Sequence, residues 1–163
     1  MPNDWLPPLE RFSGDWDSYC ERLYTIFHND FIVSKPIFQG QEVGARRLPI
    51  TNGKTAAFWH LTSTGEKEDE RIPDIRRCER IRWPKAFIEN PDKLKIWKNK
   101  RKNNTNICLW LDDVTENYLV VLGERDGYYL LRTAYYIERE HSRKKLQKEY
   151  EAYTASAATQ LNG

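Results

Sequence analysis

Three runs in the second half of the chain alternate their side chains with a period of two, and no other pattern restricts the fold as strongly. Residues 105–111 (TNICLWL), 117–122 (NYLVVL) and 127–137 (GYYLLRTAYYI) are rich in β-branched and aromatic residues, which suit a pleated, half-buried surface. Asp112-Asp113 separates the first two runs and Arg125-Asp126-Gly127 the last two. Turns this short join antiparallel neighbours. The pattern predicts three consecutive antiparallel strands over 105–137.

Helical spacing frames this sheet. In 15–29, Trp16, Tyr19, Cys20, Leu23, Ile26 and Phe27 recur at three- and four-residue steps behind an N-cap candidate at Ser13 or Asp15, the mark of an amphipathic helix. IPDIRRCERIRW at 72–83 predicts a second helix, with Pro73 in its first turn and Ile75, Cys78, Ile81 and Arg82 facing inward. Pro84 should kink or restart it, with a further helical turn at 86–90. EREHSRKKLQKEYEAY at 138–153 predicts a closing helix that packs through Leu146, Tyr150 and Tyr153. Between the first two helices, 31–47 reads as irregular or edge-strand structure. KTAAFWHLTS at 54–63 reads as a strand after the Asn52-Gly53 turn, and EKEDE at 66–70 as a solvated loop.

The fold class that follows is α+β: N-terminal helices, then a central antiparallel β-sheet, then a C-terminal helix. With 163 residues the chain suits one domain over 1–163, with frayed ends expected near 1–10 and 154–163. Hydrophobic residues make up 39% and charged residues 31%, with mean hydropathy -0.80, so a packed core under a charged surface is expected rather than disorder. No run approaches 18 apolar residues and the start has no basic-then-apolar segment. The expectation is a soluble, cytoplasmic protein with no membrane partner. Cys20, Cys78 and Cys108 are odd in number and far apart, which points to buried thiols in a reducing compartment. No glycine-rich phosphate loop, HExxH, GxSxG or Cys/His zinc pattern is present, so the sequence calls for no metal and no cofactor.

The net charge of +2 hides an asymmetry. Residues 71–108 hold 12 basic and 4 acidic residues, +8, against -4 for 1–70 and -2 for 109–163. Arg71, Arg76, Arg77, Arg80 and Arg82 fall within twelve positions, and Arg76 and Arg77 each lie about one turn before Arg80. Guanidinium groups pair with phosphate oxygens in bidentate fashion, although Asp74, Glu79 and the EKEDE loop offer ordinary ion-pair partners. Lys98, Lys100, Arg101 and Lys102, beside Trp97 and two asparagines, suit a nucleic-acid backbone or a solvated basic loop.

His60 is the histidine best placed to move a proton near neutral pH, if it is not simply structural. On the last strand, strict alternation puts Tyr129, Leu131, Thr133, Tyr135 and Ile137 on one face. Thr133 and Tyr135 then form a polar pair able to orient phosphate, or else mark a half-buried sheet edge.

FWHLTS at 58–63, RRCERIRW at 76–83 and YLVVLGERDGYYLLRTAYYIEREHSRKKLQKEYE at 118–151 resemble phage- and bacteria-borne domains of the barnase–EndoU–colicin–RelE nuclease superfamily. The resemblance spans about Asp15 to Tyr153. It implies helical structure followed by an antiparallel sheet, and RNA cleavage without a metal, in a toxin or phage-conflict setting. It makes His60 the acid or base, Arg77 and Arg80 an electrostatic clamp, and Thr133 or Tyr135 a phosphate donor; on residue type and charge alone, Arg71, Arg76, Lys98, Lys100, Arg101 and Lys102 are the candidate substrate contacts. The implied reaction is attack of a ribose 2′-oxygen on the adjacent phosphorus. RNA is the implied partner, and an acidic antitoxin or immunity protein is a second one. A non-catalytic RNA-binding or protein-interaction module would use the same basic and aromatic residues without needing His60.

Overall fold

The structure, a computed structural model, describes the backbone of residues 3–67 and 70–162 and the side chains through residue 157. The first helix, α1 (Trp16–His28), continues into a π-helical turn, Asn29–Val33. It buries Tyr19, Cys20, Leu23, Ile26 and Phe27, the stripe that the three- and four-residue spacing predicts. Two short strands follow, β1 (Ile37–Phe38) and β2 (Gln41–Ala45), then a hairpin of β3 (Ile50–Thr51) and β4 (Lys54–Thr55) around Asn52-Gly53.

The expected strand over 54–63 is instead α2 (Ala56–Thr62), with β4 before it and β5 (Ser63–Thr64) after it. Ala56-Ala57 favours helix, and the buried residues Ala57, Phe58, Leu61 and Thr62 fall at helical steps. Packing on that face outweighs the strand preference of the aromatic residues.

The helix expected over 72–83 is also shorter. Ile72 and Pro73 form β6, which pairs with β5, and Asp74 caps α3 (Ile75–Glu79) by accepting from the Arg77 amide. Pro73 therefore precedes the helix. Cys78 and Ile81 are buried as expected, but Ile75 and Arg82 are exposed and Arg80 is buried in their place. Pro84 restarts the chain in α4 (Trp83–Glu89).

The second half builds the sheet: β7 (Lys95–Arg101), β8 (Asn104–Asp112), β9 (Asn117–Glu124) and β10 (Tyr129–Tyr136). The last three are the predicted antiparallel strands. The basic run of β7, read from composition as a nucleic-acid contact or a solvated loop, pairs with β8 along its whole length. As the outermost strand it carries the lysines that edges tolerate. The six strands run β1-β2-β10-β9-β8-β7, all antiparallel except β2 beside β10. β2 pairs only with Tyr129–Leu131 of β10. Past Leu131 that edge of β10 meets α2 and α3 instead of a strand.

Both sheet faces are covered. On one, Tyr19, Leu23, Phe27, Phe58 and Phe87 pack with Leu109, Val120, Leu122, Tyr129, Leu131 and Ala134. On the other, α5 (Glu140–Asn162) lays Leu146 and Tyr150 against Trp97, Cys108, Trp110, Leu119 and Ile137. The leucines, isoleucine and phenylalanines among them, where fully buried, contribute about 1.5–3 kcal/mol each. Helix α5 runs well past residue 153, where fraying was expected, and Glu151 to Ser156 are exposed all round. The start is tied down too: Trp5, Leu6 and Leu9 pack on the core and Trp83 Nε1 donates to the Pro7 carbonyl at 3.1 Å. Of the EKEDE loop, Glu66, Lys67 and Glu70 are exposed, while Glu68 and Asp69 lie outside the described residues. Among the described residues no helix is long and apolar enough to cross a membrane.

Strict alternation fails on β10. The pairing with β9 slips between Leu131 and Thr133, a bulge that leaves Arg132 without a partner. Tyr129 and Leu131 therefore share a face with Ala134, while Tyr135 and Ile137 join the α5 side.

Candidate anion-binding site at the edge of the sheet

A cavity of about 280 Å³ opens where β2 ends beside the bulge, lined by Arg46, Ala57, His60, Arg125, Arg132, Thr133 and two leucines. Four local features assemble it. The Arg46 and Arg47 carbonyls accept from the Ala57 and Ala56 amides at 3.0 and 3.4 Å, which fixes the first turn of α2 to the end of β2. His60 lies three residues beyond Ala57 on the same helix face. The β9–β10 turn closes through the Arg125 amide to the Tyr128 carbonyl at 3.0 Å. Finally, the bulge sets Arg132 and Thr133 side by side at the cavity wall.

Gly123 is what lets the two strand-side arginines converge. A Cβ there would stand 2.9 Å from Arg125 Nη1 and 3.1 Å from Arg132 Cδ. The bare backbone makes room for both side chains. Arg125 Nη1 donates to the Glu124 carbonyl at 2.9 Å, and Arg132 Nη1 to Asn106 Oδ1 at 3.3 Å.

Electrostatically the lining is one-sided among the described residues, with three guanidinium groups and an imidazole. Clustered cations repel until an anion enters, and guanidinium donors match a tetrahedral oxyanion. Thr133 adds a hydroxyl. Among the described residues no group of three or more His, Cys, Asp or Glu side chains is placed to hold a metal ion. The three thiols are buried, and burial pushes Cys78 and Cys108 up to about 12 and raises Cys20 as well, so none is a nucleophile near neutral pH.

The residues singled out from sequence divide sharply. His60 and Thr133 meet in the cavity. Arg77 sits behind it, its Nη1 donating to the carbonyls of His60 and Ser63 at 3.0 and 3.2 Å and its guanidinium carbon 5.6 Å from the Tyr135 ring centre. Tyr135 is half-buried, and burial raises its phenol. Arg71 is engaged by the Ser63 hydroxyl and by the Ser63 and Gly65 carbonyls. Arg76 pairs with Glu138 at 2.6 Å over the Tyr136 ring.

Arg80 does not reach the cavity. It is 7% exposed, donates to Glu116 and to the Arg76 carbonyl, and lies 4.9 Å from the ring centres of both Trp83 and Tyr136. The basic run on β7 is divided by strand alternation. Arg101 sits on the α5 side, 3.9 Å from Glu149, whereas Lys98 pairs with Glu124 on the other face at 3.7 Å, with Lys100 two residues on. Lys102 occupies the hairpin turn after β7 with φ 54°.

Arg46, Arg125 and Arg132 were missed as site residues. Arg132 carried the one available signal, a charge interrupting an apolar strand. Comparison with protein-family models, with curated proteins and with solved structures finds no match.

Proposed function

We propose that the cavity binds the phosphodiester of an RNA strand and that the protein is a metal-independent endoribonuclease. The observation that carries this reading is the convergence of His60, Thr133, Arg46, Arg125 and Arg132 on one cavity. His60 takes the proton from the ribose 2′-hydroxyl as that oxygen attacks the adjacent phosphorus. The bond from phosphorus to the 5′-oxygen breaks, and that oxygen leaves with a proton from the solvent or from the imidazolium just formed. The arginines hold the phosphate and stabilise the extra negative charge of the phosphorane, the task a divalent ion performs elsewhere. Thr133 donates to a non-bridging oxygen. Arg77, through the His60 carbonyl, positions the turn of α2 that carries the imidazole.

One observation favours a second reading, a non-catalytic RNA-binding module: three guanidinium groups dominate the described lining, and these hold a phosphate without moving a proton.

Cleavage of mixed-sequence RNA in the presence of a chelator separates the two. The expected products end in a 2′,3′-cyclic phosphate, and His60→Ala lowers the rate by roughly 100-fold or more with RNA affinity nearly unchanged. Wild-type protein that binds RNA and leaves it intact makes the binding module the correct reading. Protein that binds neither RNA nor phosphate removes both.

A further inference from the structure

A second and larger cavity, of about 570 Å³, lies next along β10, between the end of that strand, helix α5 and Arg101 of β7. Its wall carries Tyr135, Arg139, His141 and Lys145. The carboxylates present are already engaged: Glu138 accepts from Arg76, and Glu149 accepts from Asn99 and faces Arg101. Arg139 and Lys145 have no side-chain partner among the described residues. Their charge therefore faces the cavity and solvent uncompensated.

The two cavities are in step along one strand. Thr133 borders the first and Tyr135 the second. They stand opposite Val121 and Leu119 on the same side of β10, about 7 Å apart at the usual rise of two strand residues. That interval is close to the phosphate-to-phosphate repeat of an extended nucleotide chain. Arg77 touches a wall residue of each, donating to the His60 carbonyl and lying over the Tyr135 ring.

From this register we propose that the cavities are consecutive nucleotide sites for one single-stranded RNA chain, the second holding the nucleotide adjacent to the phosphate bound by Arg46, Arg125 and Arg132. The proposal rests on the reading of the first cavity as a phosphate site. Arg139 and Lys145 bind the neighbouring phosphate, and the Tyr135 side of the cavity receives the base. A duplex keeps its bases stacked inside and its backbone on a wide cylinder, so it cannot fill two separately walled cavities. The substrate class is single-stranded RNA.

The test uses 2′-O-methyl oligoribonucleotides, which bind without supplying an attacking hydroxyl, with inorganic phosphate as the probe of the first cavity. The double variant Arg139→Ala/Lys145→Ala changes two exposed side chains. It is expected to lower affinity for an eight-nucleotide strand roughly 10-fold or more at low salt. It also makes the slope of log K against log salt shallower by about 0.7 per lost phosphate contact, and it leaves inorganic phosphate binding as in wild type. Unchanged strand affinity and slope in that variant, with phosphate still bound, overturn the second site and leave the first intact. Equal wild-type affinity for a hairpin duplex and a single strand overturns the assignment of strandedness. Loss of neither phosphate nor strand binding in Arg46→Ala/Arg132→Ala overturns the first site, and this proposal falls with it.

Discussion

Gly123→Ala is the sharpest probe of the cavity, because it displaces two arginines without removing any side chain of the site. An alanine Cβ would sit 2.9 Å from Arg125 Nη1, 3.1 Å from Arg132 Cδ and 3.4 Å from Arg125 Cζ. Carbon contacts are favourable at about 3.5–4.0 Å, so both side chains must move outward by roughly half an ångström to an ångström. The backbone has no reason to object, since Gly123 is in an ordinary strand conformation within β9. Replacing glycine in a strand gains about 0.5–1 kcal/mol, and moving two arginines off their preferred rotamers costs a similar amount. Net stability should stay within about 1 kcal/mol of wild type, a shift in Tm of about 2–4 °C at most for a chain of this length.

Anion binding should respond differently. A hydrogen bond to a charged group contributes about 1.5–3 kcal/mol, so losing one guanidinium contact weakens phosphate binding by about 10- to 100-fold. Calorimetric titration with inorganic phosphate, beside thermal unfolding, reads both quantities. Combining Gly123→Ala with Arg125→Ala/Arg132→Ala should give no further loss of binding, because the groups it displaces are already gone. Phosphate affinity within twofold of wild type in the single variant would refute the reasoning. So would a collapse in Tm, which would mean that the strand rather than the arginines needs the glycine.

Two further predictions concern ionisable groups that the fold removes wholly or partly from water. Arg80→Ala leaves Glu116 without its partner and removes two ring contacts, and should cost about 3 kcal/mol, lowering Tm by about 6–12 °C. An unchanged melting curve would mean Arg80 is not part of the structural framework. Burial pushes the Asp30 carboxyl up to about 6 from 3.8 despite nearby Lys85 and Arg82, so the folded protein holds that proton more tightly than the unfolded chain. Its contribution to stability is present below about pH 4 and is lost as pH rises to about 6. Asp30→Asn should therefore be more stable than wild type at pH 7 and no more stable at pH 4, as read by urea unfolding at the two values.

The elements best read from the sequence are those in which local pattern and tertiary environment agree. Helix α1 has one apolar stripe, and β8, β9 and β10 alternate between short turns, so periodicity alone finds them. Errors came where two preferences compete in a short segment. Residues 54–63 combine strand-loving aromatics with Ala56-Ala57, and only the packing of Phe58, Leu61 and Thr62 under β10 decides for helix. Residues 95–101 look like a basic loop because five of the seven are Lys, Arg or Asn. Strand character there resides in Ile96 and Trp97, which enter opposite cores.

The candidate site was half legible, and β10 explains why. His60 and Thr133 stand out by residue type, but the arginines that join them come from a loop after β2, a turn and a bulge, and no sequence period links those places. YYLLRTAYYI is apolar on both parities, so a slip of one residue leaves no break in its hydrophobic pattern. Pairing with β9 exposes the slip: Leu131 faces Leu122 and the next pair is Thr133 with Val121. Under strict alternation Thr133 would follow Leu131 into the aromatic core, and Ala134 would turn toward α5. The extra residue reverses both. It gives the core the small Ala134, sets Thr133 at the cavity wall, and leaves Arg132 free of the ladder to lean across Gly123 toward Asn106. One unpaired residue thus supplies two of the polar groups at the site, and a charge set in an otherwise apolar strand is the sequence feature that betrays it.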